Sequence, residues 1–402
     1  MKKYLIIFAI ILGFSYLYSK DKPDNNVNQA IFPIQTIYYD FNKNNSNMMQ
    51  IFTNGNIYIN ADEKVGNLLI EDGTVTNYNV NISEYPQAEI IDLKGKTAYP
   101  GFNDSHVHLM ETSPFIVMGI NMGECKNSQD IADSLAANVS KVKEGELMIG
   151  VGFSLKDYDA WSPQDLEKIN LAAGNRLVFI GDKLGHNAIV NTATINFCNI
   201  NALTKNPMGG IIGKKGDTLT GMLRESAMTL AGNKLFTMIK KDIIKATSLQ
   251  MFRYWASIGY TGIVDLMGAA AGRILYPEIA MELEQEGLLP IRVHYCYTFF
   301  KLSEIDSALK YKNINSDMVR FVGCKLFVDG AYAAGQAWTS WKNMKDNNGL
   351  YYVYPTDSAG IEYNLYSIVA KLEENGLNCH YHIQGDQGIE NLLNALDSVV
   401  AM

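Results

Sequence analysis

From Gly101 to its end, the chain alternates short apolar runs with long amphipathic stretches, and that alternation constrains the fold more than any other feature. Strands separated by helices cannot pair as hairpins, so they build a parallel sheet from βα units. Besides an extended run at His106, strands are expected at Tyr260–Met267, Ile291–Tyr297, Phe321–Gly330 and Leu377–Asp386, with helices such as Lys240–Ser257 and Glu362–Asn375 between them. The first gap, from about Asn121 to about Lys245, is too long for one crossover helix and must hold an inserted subdomain, with strands near Leu147–Gly152 and Leu177–Gly181. Five barrel strands result, where a closed (β/α)8 barrel needs eight. The fold expected is α/β, an incomplete TIM-like barrel, with about three βα units outside these 402 residues.

Residues 48–100 carry a different pattern. Short apolar runs are separated by turn residues at Asn54-Gly55, Asp72-Gly73 and Lys94-Gly95, and the Asn-Gly and Asp-Gly pairs read as hairpin signals that predict a small antiparallel sheet. Residues 20–47, rich in Asn, Lys and Asp, read as a linker. Residues 1–19 have the form of a secretory signal peptide: Met1-Lys-Lys, an apolar run from Tyr4 to Tyr18, then a polar exit. The run is shorter than a spanning helix needs, and no cysteine near the exit offers a lipid anchor. An exported protein without a stable membrane span is expected. With 47% apolar and 19% charged residues the chain can bury a sizeable core, and a net charge of −8 gives no basic face for nucleic acid. Five scattered cysteines, an odd number without a C-x-x-C, read as free thiols.

Four of the six histidines fall as two His-x-His pairs on expected strands, His106/His108 and His380/His382. Residues two apart on a strand project to one face, so each pair of imidazoles could share a metal ion. Lys325 lies inside the apolar run Cys324–Gly330, where an ammonium is costly to bury. Two readings stand: an ion pair with Asp329 on the same face, or a deprotonated amine that takes up CO2 as a metal-bridging carbamate.

The order of motifs is more specific than any one of them. Asn54-Gly-Asn-Ile-Tyr, Ile70-Glu-Asp-Gly, Tyr99-Pro-Gly-Phe-Asn-Asp-Ser-His-Val-His-Leu, Gly185-His-Asn-Ala-Ile-Val-Asn, Leu219-Thr-Gly-Met-Leu-Arg-Glu-Ser-Ala, Gly259-Tyr-Thr-Gly-Ile-Val-Asp, Lys325-Leu-Phe-Val-Asp-Gly and His382-Ile-Gln-Gly-Asp occur in one chain. Together they resemble the amidohydrolase superfamily, and within it the amidohydrolase-3 group of metal-dependent hydrolases, which includes N-substituted formamide deformylases. The resemblance implies an eight-stranded barrel, a β-sandwich to which residues 48–100 contribute, and the insert at about 121–245. It implies one or two divalent ions, zinc by preference, held by His106, His108, a carbamylated Lys325 and His382. His380 is then a neighbour of the ligands or structural, and His294 is packing. His186 contacts substrate or caps the insert motif, while Arg224 and Glu225 fix the insert against the barrel. The implied reaction is hydrolysis of a non-peptide carbon–nitrogen bond in a small molecule, by metal-activated water. The group's sixth-strand histidine and eighth-strand aspartate have no counterpart before residue 402, so the proton-transferring residue is unassigned and a C-terminal truncation is expected. The alternative is a non-catalytic remnant that needs a second chain. A binding protein would leave the histidine pairs and Lys325 unexplained.

Overall fold

A computed structural model of the chain describes residues 49–270, 276–332, 335–342, 347–354, 361 and 363–400. The expected signal peptide and linker lie outside the described residues. In the N-terminal sheet, Asn54-Gly55 does not reverse the chain: β1 (Met49–Tyr58) runs straight through it, with a register shift against β2 (Lys64–Glu71) between Thr53 and Ile57. The pair forms a bulge, because it must admit a neighbour. Gly95 N–H donates to the Asn54 carbonyl at 2.7 Å, and a Cβ on Gly55 would stand 2.6 Å from Leu93 Cδ1. Asp72-Gly73 does make the expected hairpin, from β2 to antiparallel β3 (Thr74–Tyr78), with φ of 48° and 77° at the two turn residues. β4 (Glu89–Asp92) and β5 (Thr97–Ala98) flank Lys94-Gly95 and both run parallel to β1. The expected antiparallel sheet is therefore mixed, and among the described residues it is one sheet.

β6 (Phe102–Val107) leads into α1 (Leu109–Met118), and the insert follows. Its six-stranded sheet has the order β11-β12-β10-β9-β8-β7, with β7 at Ile120–Asn121, β8 at Leu147–Phe153, β9 at Leu177–Asp182, β10 at Asn187–Val190, β11 at Gly210–Lys215 and β12 at Thr218–Glu225. Helices α2 (Ser128–Asn138) and α3 (Pro163–Ala173) pack on each other over one apolar cluster. Asn127 caps α2, and a capping box of Ser162 and Asp165 with Pro163 in the first turn starts α3, local signals that fix both helix entries. Two shorter helices, α4 (Thr192–Phe197) and α5 (Thr229–Phe236), complete the insert.

α6 (Lys241–Ser257) returns the chain to the parallel sheet through β13 (Tyr260–Ala270), α7 (Tyr276–Gln285), β14 (Arg292–Thr298), the short α8 (Ile305–Ala308), β15 (Val319–Phe327), α9 (Leu365–Glu374), β16 (Cys379–His382) and α10 (Asp386–Val400). The order is β16-β15-β14-β13-β6, every neighbour parallel, so the five expected strands form an incomplete TIM-like barrel. One apolar cluster joins the strands to helices α6, α7 and α9, which cover the sheet as βα crossovers must. Gly323, with φ 140°, lets β15 approach β16 closely: a Cβ there would meet the Asn378 carbonyl oxygen at 2.5 Å. That approach sets the register which places Lys325 beside His380 and Phe327 beside His382.

Candidate metal centre

Lys325 stands on β15 with 1% of its surface exposed. Among the described residues no carboxylate pairs with it, and its Nζ lies 4.9 Å from the Phe327 ring. The ion pair with Asp329 is not formed. The Asp329 carboxylate is occupied by backbone donors, accepting from Gln384 N–H at 2.9 Å, Gly385 N–H at 2.7 Å and Trp338 N–H at 3.1 Å. Burial therefore lowers the Lys325 ammonium to about 8, within reach of a neutral amine.

His106 is the penultimate residue of β6, and Asp104 folds back to accept its N–H at 3.0 Å. His108 falls one residue beyond the strand, at the N-cap of α1, so the pair is not two residues of one strand as expected. The two rings still lie 5.6 Å apart, centroid to centroid. From the opposite edge of the sheet His382 brings its ring to 5.3 Å from Phe327 and 6.4 Å from His186. Burial first, then the charge of Lys325, lowers His106 to about 4 and His382 to about 3, and it holds His108 well below the ordinary value. All three imidazoles are thus neutral and keep a lone pair. Among the described residues the buried Nε2 of His382 has no hydrogen-bond partner. Neutral imidazoles, an orphaned ring nitrogen and a lysine without counter-charge fit a divalent metal ion. Among the described residues no three of His, Cys, Asp and Glu converge at metal-binding distances, so His106, His108 and His382 with Lys325 are candidate ligands by their chemistry and not a closed coordination set in this structure.

The insert contributes the other wall. His186 Nδ1 lies 2.9 Å from Glu225 Oε2, which also accepts from Tyr352 Oη at 2.7 Å. Burial opposes protonation of His186, but the bond to Glu225 and its charge outweigh it and raise the imidazole above its usual value. Glu225 takes φ 50°, and its Oε1 receives Ala331 N–H at 3.5 Å, so this residue does join the insert to the segment after β15. Among the described residues Arg224 pairs instead with Asp159 inside the insert, at 2.7 Å. His380 is exposed, and half-buried His294 lies between Val264 and Arg320 in the register of β14, away from the other imidazoles. A cavity of about 800 Å³ between the insert and the segment after β15 is lined by Trp161, Arg224 and Gln336, and by none of the histidines or Lys325.

Sequence reasoning gave no role to Asp265. It is fully buried on β13 and accepts Met110 N–H at 2.9 Å, at the start of α1. A signal was present, since Ile263-Val-Asp265 and Phe327-Val-Asp329 both set an acid directly after two apolar residues.

Residues 89–401 match the amidohydrolase family. The chain is 24% identical over 363 residues to the protein YtcJ of Bacillus subtilis, covering 87% of this chain and 66% of YtcJ. It is 22% identical to the N-substituted formamide deformylase of Arthrobacter pascens, covering 81% of this chain and 60% of that enzyme. It thus spans less than two thirds of the length of either. Among solved structures, an uncharacterized metal-dependent hydrolase from Pyrococcus horikoshii superposes with a TM-score of 0.65 at 22% identity, over 87% of this chain and 68% of the other. That likeness supports the barrel, and the match over residues 89–401 fixes the assignment: the chain belongs to the amidohydrolase family.

Proposed function

We propose that this chain carries one side of the active site of an exported, metal-dependent hydrolase of non-peptide carbon–nitrogen bonds in small molecules, such as amides or N-formyl compounds. The observation that carries the reading is Lys325, buried without a carboxylate partner beside the unspent Nε2 of His382. Such a lysine is a poor structural choice and a good reactive one. Its neutral amine can form an N–C bond to CO2 with release of one proton, giving a carboxylate-like carbamate among the imidazoles. His106, His108, Lys325 and His382 would hold one or two divalent ions, zinc by preference. A divalent ion bound there supplies charge that polarises a carbonyl and acidifies a water. His186, with Nδ1 fixed by Glu225 and its ring near His382, is the side chain by which the insert touches substrate. The similarity to an N-substituted formamide deformylase supports the choice of bond.

The domain division that goes with this reading is a signal peptide at 1–19, a linker at 20–47, a sheet domain at 48–100, and a barrel from 101 to 402 carrying the insert at about 121–245. Among the described residues no helix is long and apolar enough to cross a membrane. The test is hydrolysis of a panel of N-substituted formamides, amides and esters, with zinc and with a chelator. Turnover of an amide-type substrate that disappears with chelation and in His106→Ala supports the reading. Retained turnover in His106→Ala at normal metal content refutes it.

A further inference from the structure

The two edges of the parallel sheet repeat one device. On one edge, β6 delivers His108, and the backbone N–H two residues later, at Met110, is held by Oδ2 of Asp265 from the adjacent strand β13 at 2.9 Å. On the other edge, β16 delivers His382, and the N–H two residues later, at Gln384, is held by Oδ1 of Asp329, two residues past the end of the adjacent strand β15, at 2.9 Å. Both aspartates are 0% exposed, and both grip the chain just ahead of or within the first turn of a helix, α1 in one case and α10 in the other. The second grip is stronger. Asp329 also holds Gly385 and Trp338, and Gly388 packs so closely that a Cβ there would stand 3.2 Å from Oδ2.

A buried carboxylate is costly to hold away from water, and Asp329 spends its two oxygens on three backbone N–H groups. Two such acids, each at the same offset from a histidine and each reaching across from the neighbouring strand or just past its end, point to a demand at the histidines. The point where each histidine leaves its strand is where the chain is freest to rotate, because ladder hydrogen bonds stop there. Fixing the N–H two residues on removes that freedom and sets the direction of the imidazole. We infer that Asp265 and Asp329 are paired positioning residues that orient His108 and His382 toward a shared divalent cation. The inference rests on the metal-site reading proposed above and adds how that site is held in shape.

The test is titration of the metal-free full chain with zinc alone, read as affinity against a competing chromophoric chelator, for the wild type, His382→Ala, Asp265→Asn, Asp329→Asn and Asp165→Asn. Asp165 is the control, an aspartate equally rich in local bonds but placed in the insert, where it completes the cap of α3. The expected result is that each of the two site variants loses about tenfold or more in zinc affinity, the scale on which partners of metal ligands act, while Asp165→Asn binds as the wild type at a comparable loss of thermal midpoint. Wild-type affinity in both Asp265→Asn and Asp329→Asn overturns the inference and leaves the metal site standing. Equal binding by wild type and His382→Ala, or none by either, overturns the metal-site reading and the inference with it. If an Asn variant does not fold, Asp265→Glu or Asp329→Glu keeps the charge and displaces the carboxylate by one methylene. Wild-type affinity in that variant counts against the inference as well.

Discussion

In the insert, the buried ionisable groups have side-chain partners: Arg224 meets Asp159, Glu225 meets His186 and Tyr352, and Asp182 accepts from Tyr158 and Asn187. In the parallel sheet, Lys325 is just as buried, yet it faces an aromatic ring and neutral imidazoles, and the nearby acids Asp265 and Asp329 are turned to backbone N–H groups. The first pattern is compensated burial, which a fold tolerates at little net cost. The second leaves a cation and several lone pairs unspent, and such local conflict persists where it serves a site. The comparison teaches that the two sheets have divided their tasks. One is a scaffold, and the other stores the chemistry.

The sharpest way to break that division is Lys325→Met. The account predicts loss of metal-dependent hydrolysis altogether together with a thermal midpoint that stays level or rises, because an apolar chain of similar length replaces an uncompensated ammonium. A fall of several degrees in calorimetry would mean that Lys325 is structural. The reciprocal change, Phe153→Ala in the insert core, should cost about 3–5 kcal/mol in denaturant unfolding and leave zinc affinity of the folded fraction unchanged. Loss of zinc binding there would show that the sheets are not independent.

Where the two regions touch, an intermediate outcome is expected. Glu225→Ala strips the partner from His186 and Tyr352, and should cost about 2–3 kcal/mol in stability, with KM raised more than kcat is lowered if His186 contacts substrate. An unchanged KM would confine His186 to a capping role. The smallest effect belongs to the exposed pair of Lys371 and Asp306, 2.8 Å apart. Removing it by Lys371→Ala should cost less than about 1 kcal/mol and alter no property of the site, which a larger loss would contradict.

The parallel sheet was legible because its central strands β13, β14 and β15 are largely apolar runs and helices such as α6 between strands are long, so the period itself separates them; the predicted Lys240–Ser257 helix is found at Lys241–Ser257. The insert was only half legible. β10 has four residues and pairs antiparallel with β12 across an intervening helix and strand, and nothing local announces that pairing. Asn54-Gly55 misled for a related reason: a residue pair that tolerates positive φ suits a bulge as well as a turn, and the choice is made by Leu93 and Gly95, some forty residues away. Among the site residues, His106/His108 and His380/His382 declared themselves by their His-x-His spacing, and Lys325 as a charge inside an apolar run. The anchoring of His186 through Glu225 and Tyr352 depends on segments more than a hundred residues apart meeting in space.

The central claim is that the uncompensated donors at the edge of the parallel sheet exist to hold a divalent metal. Calorimetric titration of the metal-free chain with zinc, for the wild type and Lys325→Met, tests it most directly. The account predicts saturable binding by the wild type that is lost in Lys325→Met while the variant stays folded. A well-folded wild type that takes up no zinc, or a Lys325→Met variant that binds it equally well, would contradict it.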